Sequence, residues 1–386
     1  MNGLEGICDA NNLYAAFVEA KKGTDWKESV QRYSVEFLLN IYKTQQAIRS
    51  GKYKSKRMIE FKLHERGRTR CIKSQHISDR VVQRSLIDNV LLPRIKPKLA
   101  YDNGASLKGK GLDFSRRRFE LHLRQAYKRY GGKGYVLFID YSKYFDNIRH
   151  DVALAQFRPF LNDAEYAFVE KCFDEFAVDV SYMSDEEFEN CMDVPFNALE
   201  YKYKGNGEPP TKLMRKSVGI GNQISQITGL YYPHRIDNFC KIVLGLPFVD
   251  RYMDDTGIIL DDLERLKWVY EQIKIMCKDL GIFINEKKTA IYKLEDWLTY
   301  LKINYRILKN GRLIRKVHNS TIRRERRRLP KLLRLRNAER LNQKECEQCY
   351  KSWRGSYAKY DSGKNLRRLD KLYRDLFEKG SGGDEQ

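Results

Sequence analysis

Tyr135 to Ile139 is an unbroken apolar run, and in "GYVLFIDYSKYFDNIRHDV" it stops on Asp140. Continuous apolarity without alternation predicts a strand covered on both faces, the centre of a sheet rather than its edge. A carboxylate at the end of such a strand wants a cation, or else caps a following helix. The residues after Asp140, with Tyr144, Phe145 and Ile148, predict that helix.

A second stretch makes the same demand twice. "PFVDRYMDDTGIIL" places Asp254 and Asp255 among the strand formers Val249, Tyr252, Ile258, Ile259 and Leu260. Asp is depleted from strands and costly to bury unless paired or metal-bound. A tight turn, helped by Gly257, is the other reading of the pair. Between the two stretches, "SVGIGNQISQITGLYYPHRIDNFCK" predicts a glycine-rich entry and a helix bearing Ile224, Ile227, Leu230, Tyr231 and Ile236. After them, "LGIFINEKKTAIYKL" and "WLTYLKINYRI" predict the strands that close the sheet region. Strand-end carboxylates on adjacent strands can hold two Mg²⁺ ions about 4 Å apart, clamping the attacking and leaving oxygens of phosphoryl transfer.

The rest of the chain suits a polyanionic partner. Its 386 residues carry 73 Lys and Arg against 51 Asp and Glu, a net charge of +22, which points to nucleic acid. No segment approaches the roughly 20 apolar residues that span a bilayer, and "MNGLEGICDANNLY" lacks a secretion signal, so the expectation is a soluble, cytoplasmic protein with no membrane partner. Cys346 and Cys349 alternate with Tyr350, Trp353 and Tyr357 at helical spacing, the core stripe of a helix rather than a zinc site.

Residues 12–50 read as helical, with Leu13, Phe17, Val35, Leu38, Leu39 and Ile41 as apolar positions. A β-hairpin follows, carrying Arg66, Gly67, Arg68 and Arg70 at its tip or return strand, then a helix from about Asp79 to Leu92. "ASLKGKGLDFSRRRF" is a glycine-and-lysine loop, Lys110 included, that could meet phosphate. Residues 181–216 read as an irregular polar insert, with acidic residues from Asp185 to Asp193, no apolar anchors and a turn at "KGNGEPP". From Arg312 through Arg336 there are 11 basic residues and one acidic one, Glu325, among Leu329, Leu332, Leu333 and Leu335; with 366–377 this predicts a basic helical end domain that tracks phosphates. The tail "GSGGDEQ" reads as flexible.

Taken in order, these motifs resemble the reverse transcriptases over about residues 50 to 370. Asp140 matches the family's first catalytic motif, "GIGNQISQ" the second, "YMDD" the third and "NEKKT" the fourth, while "RGRTR" and "SDRVVQ" are similar to its fingers segment. "WLTYLK" resembles the primer grip, with Tyr300 and Lys302 in place of Phe and Gly. The resemblance implies an α+β right-hand polymerase: a helical extension at 1–50, fingers at 51–134, a palm at 135–305 with an antiparallel sheet backed by helices, a thumb at 306–379 and a tail at 380–386.

It also implies the chemistry. Asp140, Asp254 and Asp255 would hold two Mg²⁺ ions, for which Mn²⁺ can substitute, one lowering the pKa of the primer hydroxyl and the other holding pyrophosphate. Lys288 or Lys287 would protonate or neutralise the pyrophosphate, and Arg70, helped by Arg68 or Arg66, would grip the triphosphate. Phe145, five residues after Asp140, stands where the family carries an aromatic ring that collides with a ribose 2′-hydroxyl, which implies dNTPs. Tyr144, Ile220, Gly221 and Ser225 would line the nucleotide. Lys110, Tyr252, Arg323, Arg324, Arg326, Arg327 and Arg328 would meet the RNA template and its DNA or RNA primer.

Within the family, Ile220 and Gln226 stand where most members have Gln and Pro. The Ile-Gly-Asn-x-x-Ser-Gln form, with the C-terminal "YKSWRGSYAKY", looks like reverse transcriptases of diversity-generating retroelements and their bacterial or phage relatives, which implies an error-prone enzyme, a structured noncoding RNA and a small basic accessory protein. Defence-associated bacterial reverse transcriptases share the same palm and fingers. Retrons fit less well, and neither an endonuclease nor an RNase H domain is expected. A non-catalytic RNA-binding scaffold is the alternative of another class; the three carboxylates argue against it.

Overall fold

The computed structural model describes residues 3–56, 58–65, 67–197 and 210–378. Its strands are β1 (Ile59–Glu65), β2 (Arg68–Ser74), β3 (Tyr135–Asp140), β4 (Val178–Asp179), β5 (Leu213–Met214), β6 (Val249–Tyr252), β7 (Asp255–Leu260), β8 (Ala290–Lys293), β9 (Leu298–Tyr300), β10 (Ile303–Ile307) and β11 (Leu313–Val317). Two compact units form. The larger comprises Met1–Gly111, Phe138–Gly257 and Lys267–Ala290; the smaller comprises Leu112–Leu137, Ile258–Leu266 and Ile291–Gln386.

After the short helix Glu5–Cys8, the larger unit continues with helices Ala10–Lys21, Glu28–Val35 and Phe37–Arg49. Leu13, Phe17 and Ile41 are buried as expected, but Val35 and Leu38 are 84% and 69% exposed. The reason is helical phase: Phe37 stacks on Phe17 and Ile41 and Ile48 follow it inward, which turns Leu38 and Leu39 outward. The hairpin of β1 and β2 pairs from Ile59↔Ser74 to Glu65↔Arg68. Gly67 at its tip has φ +72, a conformation that suits glycine. Arg66, the turn expected at "KGNGEPP" and the tail fall outside the described residues, apart from Pro210.

The sheet that carries the carboxylates has the order β6-β7-β3-β8, so β3 is an interior strand, with Val136, Leu137 and Ile139 fully buried. No long helix follows Asp140. Lys143 turns left-handed at φ 45, so Tyr144–Asn147 is a single 3₁₀ turn and the α-helix begins only at His150. The stretch "LGIFINEKK" is likewise no strand: Ile284 makes one antiparallel bridge to Tyr141, and a turn follows.

The polar insert has the apolar anchors its composition hid. Val178, Val180, Met183, Cys191, Phe196 and Met214 form a small core of their own beside the short β4–β5 ladder. Asp185, Glu186 and Glu187 are the first turn of a helix capped by Ser184, where negative charge complements the helix dipole. Lys216, fully buried, donates to the carbonyls of Cys191, Met192 and Val194 at 3.0, 3.1 and 2.9 Å and lies 4.8 Å from the Phe283 ring centre.

In the smaller unit, "WLTYLKINYRI" forms β9 and β10 of a separate three-stranded sheet, order β11-β10-β9, rather than closing the sheet of β3. Leu301 and Lys302 are both left-handed, at φ 46 and 66, in the two-residue turn between them. A glycine would take that φ without steric cost. Phe119, from helix Leu112–Tyr130, packs on Tyr300 and Tyr305. Helices Asn319–Asn337, Gln343–Tyr357 and Gly363–Phe377 share a core of Leu329, Leu332, Cys346, Tyr350, Leu369, Tyr373 and Phe377. Cys346 is thus a core residue, as its helical spacing predicts. No helix among the described residues is long and apolar enough to cross a membrane.

Candidate active site

The turn between β6 and β7 consists of Met253 and Asp254, and Asp255 opens β7. Met253 sits at φ 54, a left-handed conformation uncommon for a non-glycine residue. Burial pushes the Asp254 carboxyl pKa up, and the Asp140 charge pushes it further, while Lys288 and Arg70 pull it down. Four side chains that the sequence scatters from position 70 to 288 therefore lie within electrostatic reach of one another.

Asp140 is held from the "NEKKT" turn. Its carbonyl accepts from the Asn285 amide at 2.8 Å, and its amide donates to the Thr289 hydroxyl at 3.3 Å. Within that turn the amides of Lys288 and Thr289 both donate to the Asn285 carbonyl. Lys288 Nζ is thereby aimed at the Asp140 carboxylate, 2.8 and 3.1 Å from its two oxygens. Lys288 remains nearly half exposed, so the ammonium can exchange partners. Arg70 sits on β2, opposite Leu63. Arg68 lies on the same strand.

The "GIGNQISQ" segment is a built turn. Ile220 bridges Ile72 in parallel, and its carbonyl accepts from the Lys73 amide at 3.0 Å, which joins the segment to β2. Gly221 has φ 118, and a Cβ there would stand 3.0 Å from Ile72 Cγ2, so only glycine fits. Asn222 caps helix Gln223–Tyr231, accepting from the Ser225 amide at 2.8 Å. Ser225 is 1% exposed, and its hydroxyl donates to the Val218 carbonyl and to Asn222 Oδ1. Tyr144 is buried as well, its hydroxyl donating to the Gly229 carbonyl at 2.7 Å, and desolvation raises its pKa well above the phenol range. Phe145 is half-buried, with its carbonyl accepting from the Val218 amide at 3.1 Å.

Of the residues expected at nucleic acid, Tyr252 ends β6 half-buried, and Lys110 donates to the carbonyls of Tyr101 and Asn103 at 2.6 and 3.0 Å. In the smaller unit Arg323, Arg324, Arg326 and Arg327 are exposed on helix Asn319–Asn337, whereas Arg328 pairs at 3.3 Å with Glu325, which is 1% exposed.

Four further residues matter that were not among the expected site residues, two of them the outer residues of "NEKKT". Asn285 and Thr289 fix the end of β3, and Arg251 with Asp237 stands behind the Met253 turn. Arg251, 2% exposed, donates to Asp237 at 2.8, 2.9 and 2.7 Å, to the Leu230 carbonyl at 2.7 Å and to the Met253 carbonyl at 3.1 Å. A charged pair, Asp250 and Arg251, inside the apolar strand "FVDRY" was the available signal.

The chain matches the family described as Reverse transcriptase (RNA-dependent DNA polymerase) over residues 54–305, well over half its length. It belongs to that family, and its mixture of helices and antiparallel sheets is the right-hand polymerase architecture. A search of the curated proteins gives no match. One solved structure similar to the chain is telomerase from Candida albicans in complex with the TWJ fragment of telomeric RNA, at 12% identity and a TM-score of 0.40. That similarity covers 90% of this chain and 66% of the telomerase chain, just under two thirds of its length.

Proposed function

We propose that the protein is an RNA-directed DNA polymerase that extends a DNA or RNA primer with dNTPs on an RNA template. The observation that carries this reading is the Asp140, Asp254, Lys288 and Arg70 cluster in a member of the reverse transcriptase family. A buried carboxylate at Asp254 whose ionisation the Asp140 charge opposes, together with the hard oxygen donors of both, fits divalent cations of the Mg²⁺ or Mn²⁺ kind. Asp140 and Asp254 would hold them, with Asp255 beside Asp254. When bound, such ions neutralise charge on the attacking and leaving oxygens of phosphoryl transfer.

The chain's own groups do the rest. Arg70 meets the triphosphate, and Lys288 moves from the Asp140 carboxylate to the leaving pyrophosphate, where an ammonium can donate a proton. Phe145 stands against the sugar and excludes a 2′-hydroxyl. Ile220 and Gly221 border the nascent pair, while Tyr144 and Ser225 act through the turn and helix they hold. Fingers, palm and thumb follow the segments 51–134, 135–305 and 306–379.

The finer reading is an error-prone enzyme of a diversity-generating retroelement. Ile220 is apolar and stiff at χ1, so it cannot reward correct pairing with a directional bond as a Gln can. Flanking DNA would discriminate this reading from anti-phage defence: a template repeat with adenine-position differences supports the first, a noncoding RNA gene alone the second. A small basic accessory protein belongs with the first.

The test of the polymerase reading is Asp254→Asn. This variant should lose dNTP incorporation on a primed RNA template while retaining RNA affinity within about twofold, since binding comes mostly from basic side chains away from the site. Substantial synthesis by the variant would sink the metal assignment, and no synthesis by the wild type would favour the scaffold.

A further inference from the structure

We propose that Gly229 is the seat of the Phe145 ring and so sets how strictly the nucleotide pocket rejects a ribose. The proposal rests on the reading of Phe145 as the residue that faces the sugar. Gly229 lies inside helix Gln223–Tyr231, fully covered, with no left-handed φ to demand glycine. In a helix interior glycine costs about 1 kcal/mol relative to alanine, so something other than the backbone must require it.

That something is the ring. A Cβ built on Gly229 would stand 2.9 Å from Cε1 and 3.1 Å from Cζ of Phe145, and 3.4 Å from Cε1 of Tyr144. Carbon atoms approach favourably only to about 3.5 to 4.0 Å, so a methyl group there overlaps the Phe145 ring. The surroundings decide which side yields. Tyr144 is 4% exposed and tethered to the Gly229 carbonyl at 2.7 Å, and the Phe145 backbone is tethered to the Val218 amide at 3.1 Å. Phe145 is only half-buried, so its ring is the part that can yield, and a methyl group on the helix can drive it only away from the helix. A side chain at Gly229 therefore pushes the ring outward, into space that an incoming nucleotide must share. The absent side chain leaves the ring at the depth where a deoxyribose passes.

Single-nucleotide incorporation on one primed RNA template, with dNTP and rNTP in parallel, tests this in wild type, Gly229→Ala, Phe145→Ala and the double variant. Gly229→Ala should raise KM for dNTP about tenfold with kcat changed less than threefold, and lower rNTP use at least as much, the scale on which a methyl-sized misfit is felt in a pocket. In the Phe145→Ala background the same substitution should change neither constant more than twofold, because no ring remains to displace. That background also controls for folding, since a fold that rejects Ala at 229 would fail there too. Equal losses from Gly229→Ala with and without the ring, or a loss confined to kcat, would overturn the seat. If Phe145→Ala leaves sugar preference unchanged, the assignment of the gate itself falls, whatever Gly229→Ala does.

Discussion

A single guanidinium ties the carboxylate turn to the helices behind it. Arg251 is buried with Asp237, and one of its donors reaches the carbonyl of Met253, the residue whose left-handed backbone lifts Asp254 off the strand. A strained, non-glycine turn of this sort costs on the order of 1 to 3 kcal/mol and persists only where its surroundings hold it. Stability and positioning can be separated. Removing only the arginine, as Arg251→Met, leaves Asp237 charged and unpaired and should cost about 3 to 5 kcal/mol. Replacing both, as Arg251→Met with Asp237→Leu, should return to within about 2 kcal/mol of wild type, because a well-packed apolar pair can replace a buried ion pair. If the Met253 hydrogen bond positions Asp254, this folded double variant still loses kcat, by roughly tenfold or more, with little change in dNTP KM. Urea denaturation and single-turnover incorporation on the same preparations decide it, and full kcat in the double variant would reduce the pair to packing.

At the scale of elements, what the sequence shows is what local patterning can specify. The hairpin of β1 and β2, the apolar strand β3, the β6–β7 hairpin and the C-terminal helices carry periods of 2 or 3.6 or an uninterrupted apolar run. Elements set by one odd backbone angle or by distant partners are not legible. The helix expected after Asp140 fails at Lys143, an ordinary residue in a left-handed conformation. The insert looks unanchored because its core draws on Val178 and Met214, which lie 36 residues apart in the chain. The same holds for the candidate site: its carboxylates and the motif order are visible, but the approach of Gly229 to the Phe145 ring and of Arg251 to the Met253 carbonyl exist only once helix and hairpin meet.

A polar pocket between helices shows the same dependence and makes its own prediction. Glu175, at the C-terminal end of helix Asp163–Asp174, has its pKa pushed up to about 7, first by burial and then by the Asp79 charge. Asp79 accepts from the Tyr53 hydroxyl at 2.8 Å and the Lys56 amide at 3.0 Å, bonds that oppose the rise burial imposes on its own pKa. A carboxyl whose folded pKa is raised binds a proton that the unfolded chain has released. Its contribution is whole below the ordinary value near 4.5 and fades as pH rises through about 7. Wild type should lose about 1 to 2 kcal/mol relative to Glu175→Gln between pH 5 and 8, the shift discounted for partial solvent screening. Parallel stability curves across that range would mean that Glu175 is solvated in the folded protein.

Over the whole molecule, the charge excess of 22 is a statement about partners, and its most concentrated form is helix Asn319–Asn337. Leu329 and Leu332 turn one face into the core shared by the three C-terminal helices, which leaves Arg323, Arg324, Arg326 and Arg327 on the exposed face. Arg328 is different. It belongs with buried Glu325, whose pKa burial raises and whose charge the guanidinium satisfies. The five arginines thus divide into four that can meet phosphate and one that holds the helix. Replacing the four with Gln should weaken binding to a template–primer duplex and flatten the log–log salt dependence by roughly 0.7 to 0.9 for each phosphate no longer neutralised, about 3 units if all four engage. Arg328→Gln should leave the slope within about 0.5 of wild type while lowering thermal stability, because Glu325 then keeps a buried charge without its partner. Affinities measured at four or five salt concentrations, beside a melting curve for each variant, separate the two roles. A slope unchanged by the fourfold substitution would place these arginines against solvent or a protein, and an Arg328 variant with a flattened slope but wild-type stability would reverse the division.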